Sequence, residues 1–201
     1  MIINNRFSIF PCGWLNKEKN VVTMRQRPQQ TQTIEWVYHY VSSERTRDIT
    51  ERLRSMADEA DDLQREFKLL NFEYATFSGI FSYRNAKGLA ERSPYLVLDI
   101  DDLASMDEAV DLRQTLSEDT NVETALCFVS PRGRGVKWVV ELPEWTYGLT
   151  FKDQFDALRL YLGFTYGVDA DKSGSDVSRA CFLSYDKDCF INKKYLRNEH
   201  L

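Results

Sequence analysis

The sequence lacks the features that would place it in several common classes of protein. Its four cysteines (Cys12, Cys127, Cys181 and Cys189) form no Cys-x-x-Cys pair, so the sequence indicates neither a zinc site of that pattern nor a need for an oxidising compartment. No apolar run approaches the roughly 20 residues of a membrane-spanning helix, and the N-terminus lacks a basic region followed by a long apolar run. We therefore expect a soluble, cytoplasmic protein with no membrane partner.

A surplus of positive charge is also absent. The formal net charge is −5, which argues against a protein that coats DNA but allows a basic cleft on an otherwise acidic surface. The sequence has no internal repeats and no low-complexity linker. With 43% hydrophobic and 13% aromatic residues, residues 1–201 are predicted to form a single domain with a sizeable core.

Predicted strands and helices are interleaved along the chain. The spacing of apolar residues predicts helices at residues 33–41, 49–70, 103–116 and 151–162. Apolar runs bounded by turn residues predict strands at residues 7–10, 72–77, 81–84, 95–102, 124–130, 136–142 and 180–184. Two pairs of these strands are close enough in sequence to form hairpins. The pattern therefore predicts an α+β fold with a mainly antiparallel sheet covered by helices.

Asp99 and Asp101 stand where one apolar strand ends. Alternate residues of a strand share a face, so the two carboxylates are expected to point the same way, about 6–7 Å apart. Unpaired buried charge is costly, whereas a divalent cation prefers hard oxygen ligands. The pair is therefore a candidate metal site. The alternative is that the strand ends at Leu98 and the acids cap the next helix.

A basic turn that contains two glycines follows the next strand. Gly133 and Gly135 allow a close approach to a ligand and can direct backbone N–H groups towards an anion. Arg132, Arg134 and Lys137 supply positive charge for a phosphate. The alternative is a hairpin turn whose basic residues face solvent.

A third polar cluster precedes the last strand. Asp176 offers another carboxylate, and Arg179 can hold a phosphate or pair with an aspartate. Carboxylates together with phosphate-binding groups are what metal-dependent nucleotidyl transfer requires, because metal ions activate the attacking hydroxyl and stabilise the leaving pyrophosphate. We therefore predict Asp99, Asp101 and Asp176 as catalytic, metal-binding residues.

The three segments, in this order and spacing, resemble the motifs of the archaeo-eukaryotic primase superfamily. Residues 96–101 are similar to its first motif, an apolar strand that ends in Asp-x-Asp or Asp-x-Glu. Residues 130–140 are similar to the second motif, a serine followed by a Gly/Arg-rich turn and a histidine that contacts the incoming nucleotide. Asp176 with Arg179 resembles the third motif.

A closer resemblance is to the primase-like domains of bacterial mobile-element proteins known as VirE-type N-terminal domains. The segments that carry it are residues 77–81, 99–103, 130–137 and 171–184. The resemblance implies a primase-polymerase-like fold with an RRM-like core. Residues 1–70 would then be a helical N-terminal part, and residues 71–201 a catalytic-like core.

The same resemblance implies a nucleotidyltransferase, a DNA primase or polymerase, in the replication of a mobile element or plasmid. Mg²⁺ or Mn²⁺ would be bound by the three aspartates, and nucleoside triphosphates and single-stranded or primed nucleic acid would be the substrates. A helicase-type ATPase is the implied partner, and this chain, which has no Gly-x-x-x-x-Gly-Lys-Ser/Thr, is not that motor. The implied nucleotide-binding residues are Ser130, Arg132, Gly133, Arg134, Gly135, Lys137 and Arg179.

One residue departs from the superfamily pattern. Lys137 stands where the second motif has histidine, and a lysine neutralises phosphate but lacks the hydrogen-bond geometry of an imidazole and its titration near neutral pH. Together with the acidic net charge, this favours an alternative function as a non-catalytic nucleotide- or nucleic-acid-binding module. The least favoured alternative is an Asp-x-Asp phosphohydrolase resembling the haloacid dehalogenase superfamily, which has Thr or Val where this chain has Leu103.

Overall fold

The structure is a computed structural model that describes residues 4–196, and it contains five α-helices and twelve strands within that range. The helices are α1 (Ile34–Ser42), α2 (Arg47–Arg54), α3 (Asp61–Asn71), α4 (Met106–Ser117) and α5 (Phe151–Tyr166). The strands are β1 (Phe7–Phe10), β2 (Trp14–Asn16), β3 (Val21–Thr23), β4 (Gln30–Gln32), β5 (Tyr74–Thr76), β6 (Gly79–Phe81), β7 (Leu89–Arg92), β8 (Tyr95–Ile100), β9 (Thr124–Val129), β10 (Val136–Glu141), β11 (Cys181–Phe182) and β12 (Phe190–Ile191).

Two four-stranded sheets form the framework, and all their strand pairs are antiparallel. The first sheet has the order β11-β5-β1-β4 and the second the order β12-β9-β10-β8. Two separate hairpins, β2-β3 and β6-β7, complete the strand pairing. The prediction of an α+β fold with mainly antiparallel pairing covered by helices is confirmed.

The second sheet is the middle of three layers. Leu96, Leu98 and Ile100 of β8 belong to a core on the face covered by α4 and α5. Tyr95 and Val97 belong to a second core, on the opposite face, together with side chains of β1, β5 and α1. Because every second residue of a strand points to the same face, Asp99 continues the row of Tyr95 and Val97.

Local sequence signals explain where the covering helices begin and end. Ser105 caps α4 by accepting a hydrogen bond from the Glu108 N–H, and the Glu108 carboxylate accepts one from the Ala104 N–H at 2.6 Å. Thr150 caps α5 by accepting a hydrogen bond from the Asp153 N–H, and Gly167, whose φ of +69° suits glycine, follows the last turn of α5.

The long helix predicted at residues 49–70 is wrong. The structure divides this segment into α2 and α3, separated by a turn over residues 55–60. The buried Gln64 side chain donates to the carbonyls of Ala57 and Glu59, so these two backbone acceptors of the turn have hydrogen-bond partners. Asp61 and Asp62 then fall in the first turn of α3, where the helix dipole favours negative charge.

Two further predictions differ from the structure. The predicted hairpin of residues 72–77 with the strand just after it does not form, because β5 pairs with β1 and β11, and β6 pairs with β7. Residues 1–70 were expected to be a helical part of the chain, but their described portion also holds four strands, which precede the first helix. None of the helices within residues 4–196 is long and apolar enough to cross a bilayer.

Candidate functional site

An aspartate and a lysine from neighbouring strands form a buried ion pair at the centre of the site. Antiparallel register places Lys137 of β10 directly opposite Asp99 of β8, so the two side chains share one face of the sheet. The Lys137 ammonium contacts the Asp99 Oδ1 atom and lies 3.6 Å from Oδ1 of Asp101. Asp99 and Lys137 are only 8% and 5% exposed, so this pair is part of the folded interior.

A second cation faces the other oxygen of Asp99. The Arg179 guanidinium lies 3.9 Å from Asp99 Oδ2 and donates to the Asp171 carboxylate at 2.5 Å. The Asp171 N–H donates to the Asp99 carbonyl at 2.8 Å, which fastens the loop that carries Arg179 to β8. Of the two roles considered for Arg179, the structure shows the pairing with an aspartate, and phosphate binding stays a prediction.

The third predicted carboxylate caps its own turn. Asp176 Oδ1 accepts hydrogen bonds from the N–H and the hydroxyl of Ser178, at 2.8 and 2.9 Å. Asp176 is exposed and lines the same cleft as Asp99 and Asp101. The structure thus places all three aspartates along one surface but gives the third a separate structural role.

The glycines of the basic turn shape the backbone more than they offer donors. The Gly133 N–H donates to the Ser130 carbonyl at 2.9 Å, and Gly133 has a φ of +79°, a conformation that glycine adopts without strain. At Gly135 an added Cβ would lie 2.3 Å from the carbonyl oxygen of Ile100. Gly135 therefore lets the turn between β9 and β10 press against the end of β8.

These residues line a basic cleft of about 730 Å³. Among its described lining residues are seven Lys or Arg side chains and five Asp side chains, although the whole chain carries a net charge of −5. The lysines and arginines are Arg54, Lys68, Arg84, Arg132, Arg134, Lys137 and Arg179. Ser130 also lines the cleft, so eight of the ten predicted site residues face it, and the two glycines form the turn beside it.

All five cleft arginines are held by contacts within the protein, and the contacts of three of them surround the basic turn. Arg132 pairs with Asp61 of α3 at 3.2 Å, and the Arg134 Nε donates to the Leu103 carbonyl at 2.9 Å. Arg54 donates through one terminal nitrogen to the carbonyls of Ser130 and Tyr185, each at 3.3 Å. These contacts fix the guanidinium groups around the cleft, which prepares them to bind an anion.

Sequence reasoning missed three cations of the cleft: Arg54, Lys68 and Arg84. Arg54 and Lys68 lie on the segment predicted as one helix, on which they would be about 21 Å apart along the axis. The break between α2 and α3 brings both to the basic cleft. Lys68 has no ion-pair partner within the described part of the chain, and its ammonium lies 5.1 Å from the centre of the Phe182 ring. The adjacent acidic residues Asp61 and Asp62, which are typical of the first turn of a helix, were the sequence signal for a helix that begins there.

Burial sets the charge behaviour of the cleft lysines. It lowers the pKa of Lys137, and the charges of Lys68 and Arg179 act in the same direction, whereas the charge of Asp171 acts against them. Burial also lowers the pKa of Lys68, with Arg132 contributing. The lysines and arginines of the cleft repel one another, and a bound anion would reduce this repulsion.

The arrangement of these side chains bears on the Mg²⁺ or Mn²⁺ site expected from the sequence. Among residues 4–196, no three His, Cys, Asp or Glu side chains converge as a metal-binding group. Both oxygens of Asp99 already face a cationic side chain. In this arrangement the residues do not fit a site of three carboxylates, and the metal ion stays a prediction.

Comparison with known proteins corrects the family expected from the sequence. No curated protein and no solved structure matches the chain. A family model described as "BT4734-like, N-terminal domain" matches residues 70–190, more than half of the 201 residues. The assignment to the VirE-type, primase-like domains was therefore wrong. The matched range contains β5 to β11, α4, α5 and the Asp99–Lys137 pair, and the chain belongs to the family of BT4734-like N-terminal domains.

Proposed function

We propose that the chain is a non-catalytic module that binds nucleotides or nucleic acid through their phosphates in the basic cleft. The observation that carries this proposal is the concentration of seven Lys and Arg side chains in one cleft of a chain whose net charge is −5. A local positive potential of this kind attracts polyanions even when the whole molecule is acidic.

Two buried guanidinium nitrogens support an anionic ligand. The Nε atoms of Arg54 and Arg179 are buried and have no hydrogen-bond partner among the residues that the structure describes. A buried donor without a partner costs free energy. Both side chains line the cleft, so an anion bound there is the natural source of the missing acceptors.

Apolar groups beside the cations favour a ligand that carries bases as well as phosphates. Phe182 and Met24 line the same cleft, and the Phe182 ring already accepts the Lys68 ammonium at 5.1 Å. An aromatic ring next to a basic groove is the usual arrangement for stacking a nucleobase while the backbone is neutralised. This combination favours a nucleotide or a single strand over inorganic phosphate.

The proposal is tested with Lys68→Ala, measured by fluorescence anisotropy with a labelled oligothymidylate and by competition with ATP. We expect the variant to weaken binding about tenfold and to reduce the slope of log affinity against log salt by about one, since one phosphate contact is lost. Competition by ATP at similar concentration would identify a mononucleotide site, whereas oligonucleotide binding without competition would identify a single-strand site.

The matched control is Lys152→Ala, which removes a lysine that pairs with Asp156 on α5 and does not line the cleft. It should bind like the wild type. Equal weakening by both variants, or no binding of either ligand to the wild type, would contradict the proposal.

Metal-dependent nucleotidyl transfer is the second candidate, because Asp99, Asp101 and Asp176 line the same cleft as the cations. Its test is incorporation of nucleotides into a primed template with Mn²⁺ present. Incorporation that disappears in Asp99→Asn would favour transfer over simple binding, and binding without incorporation would favour the module.

A further inference from the structure

We propose that Lys137 takes the place of a divalent cation: its ammonium is the built-in counter-ion of Asp99 and Asp101, and the basic cleft binds phosphates without a metal ion. The statement about phosphates rests on the function proposed above, whereas the statement about the aspartates does not.

The position between the two carboxylates is already filled. The Lys137 ammonium contacts Asp99 Oδ1 and lies 3.6 Å from Asp101 Oδ1. A divalent ion shared by these two oxygens would need the same space, since its bonds to oxygen are about 2.0–2.6 Å long. Binding of the ion therefore requires Lys137 to withdraw.

The sheet holds Lys137 in this position. It is the second residue of β10, and its backbone lies opposite Asp99 of β8 on one side and Phe128 of β9 on the other. The side chain is 7% exposed, so the ammonium cannot exchange the carboxylate for bulk water without a local rearrangement. A cation held by two neighbouring strands is a fixed part of the fold.

Both oxygens of Asp99 already face a cationic side chain. Lys137 faces one of its oxygens and Arg179, at 3.9 Å, the other. A divalent ion placed here would add two positive charges beside two existing cations, in a buried setting where repulsion is strong. An arginine side chain can bind phosphate oxygens directly, so the cleft arginines could attach a phosphate without a bridging ion.

The first experiment titrates Mn²⁺ into the whole chain and measures free Mn²⁺ by electron paramagnetic resonance. The wild type should bind no Mn²⁺ in the millimolar range. Lys137→Met, which removes the charge but keeps a long side chain, should bind one Mn²⁺ per chain. Adding Asp99→Asn to that variant should abolish the binding, and Lys152→Met should behave like the wild type.

Two results would overturn the proposal. One is a bound Mn²⁺ in the wild type that disappears in Asp99→Asn; this measurement decides the matter even if Lys137→Met does not fold. The other is a folded Lys137→Met variant that binds no Mn²⁺.

The second experiment measures the affinity of the wild type for labelled oligothymidylate with Mg²⁺ and with EDTA. Equal affinities are expected, and a tenfold or greater loss with EDTA would refute metal-free binding. If neither oligothymidylate nor ATP binds, the proposed function fails, while the Mn²⁺ titration still decides the role of Lys137.

Discussion

Gly135 is the residue at which a single methyl group should matter most for the site. An added Cβ would lie 2.3 Å from the Ile100 carbonyl oxygen and 3.0 Å from the Asp101 carboxylate. We expect Gly135→Ala to lower the free energy of unfolding by about 1–3 kcal/mol, because the turn would be forced away from β8. Urea unfolding measures this change.

The matched control for that prediction is Gly148→Ala. A Cβ at Gly148 meets nothing within 4 Å, and its φ is not in the left-handed region. This variant should unfold like the wild type. Equal stability of the two variants would show that the close approach at Gly135 has no energetic weight.

Single residues also show how far the sequence predicts the site. Asp99, Asp101 and the basic turn were identifiable because strand alternation and turn chemistry are local properties. The pairing of Lys137 with Asp99 was not, because it depends on the register between β8 and β10. Lys137 was accordingly expected to face a nucleotide, and the structure instead directs its ammonium to the aspartates.

At the scale of elements, Asp119 joins the end of α4 to α5. One of its carboxylate oxygens accepts the N–H groups of Asn121 and Val122, at 2.7 and 2.9 Å. The other accepts the hydroxyls of Tyr161 and Tyr166, at 2.8 and 2.6 Å. Burial opposes the charge, but hydrogen bonds from Tyr166 and Val122 outweigh it, so the pKa of Asp119 is lowered.

This contact predicts a loss of stability in acid. Since the folded carboxyl has the lower pKa, the unfolded chain binds its proton more tightly; the stabilisation is complete above the ordinary carboxyl pKa and is lost as pH falls through the folded one. Asp119→Asn should cost about 1–3 kcal/mol at neutral pH and lose less stability on acidification than the wild type. Urea unfolding at several pH values measures both effects.

Asp111→Asn is the control, because Asp111 is an exposed residue of α4. It should keep both the stability and the acid-side slope of the wild type. An Asp119→Asn variant with the same slope as the wild type would show that the hydrogen bonds do not hold the carboxylate ionised.

Helices and strands with a clear local pattern were predicted well, whereas features that depend on distant parts of the chain were not. The structure contains α4, α5, β9 and β10 close to their predicted bounds, because each carries a clear apolar period and a cap or turn. The pairing of β5 with β1 joins segments more than 60 residues apart, which no local pattern encodes. The break between α2 and α3 was hidden because apolar spacing continued through the turn at residues 55–60.

At the scale of the whole molecule, the range matched by the family model does not contain a complete fold. The first sheet needs β1, whose four residues are all buried and which pairs with both β4 and β5. The Phe7 ring contacts Phe77 and Tyr95, at centroid distances of 4.7 and 5.9 Å. Removing the segment before residue 70 would expose these side chains and the edge of β5.

We therefore expect a fragment of residues 70–190 to lack a cooperative unfolding transition in urea, whereas the whole chain should show one. Circular dichroism and intrinsic fluorescence measure the transitions. A cooperative transition of the fragment would contradict this expectation and would make the N-terminal sheet strand dispensable.

The close contact at Gly135 also decides which side of the cleft moves when a ligand arrives. The basic turn and the end of β8 are in close contact, so we expect this side of the cleft to stay fixed. The opposite side is formed by α3, which contacts the β2-β3 hairpin and is joined to the basic turn by the exposed Arg132–Asp61 ion pair. Exposed ion pairs of this kind contribute little to stability. If the cleft narrows around a bound ligand, we therefore expect α3 to move, by rotation about the turn at residues 55–60.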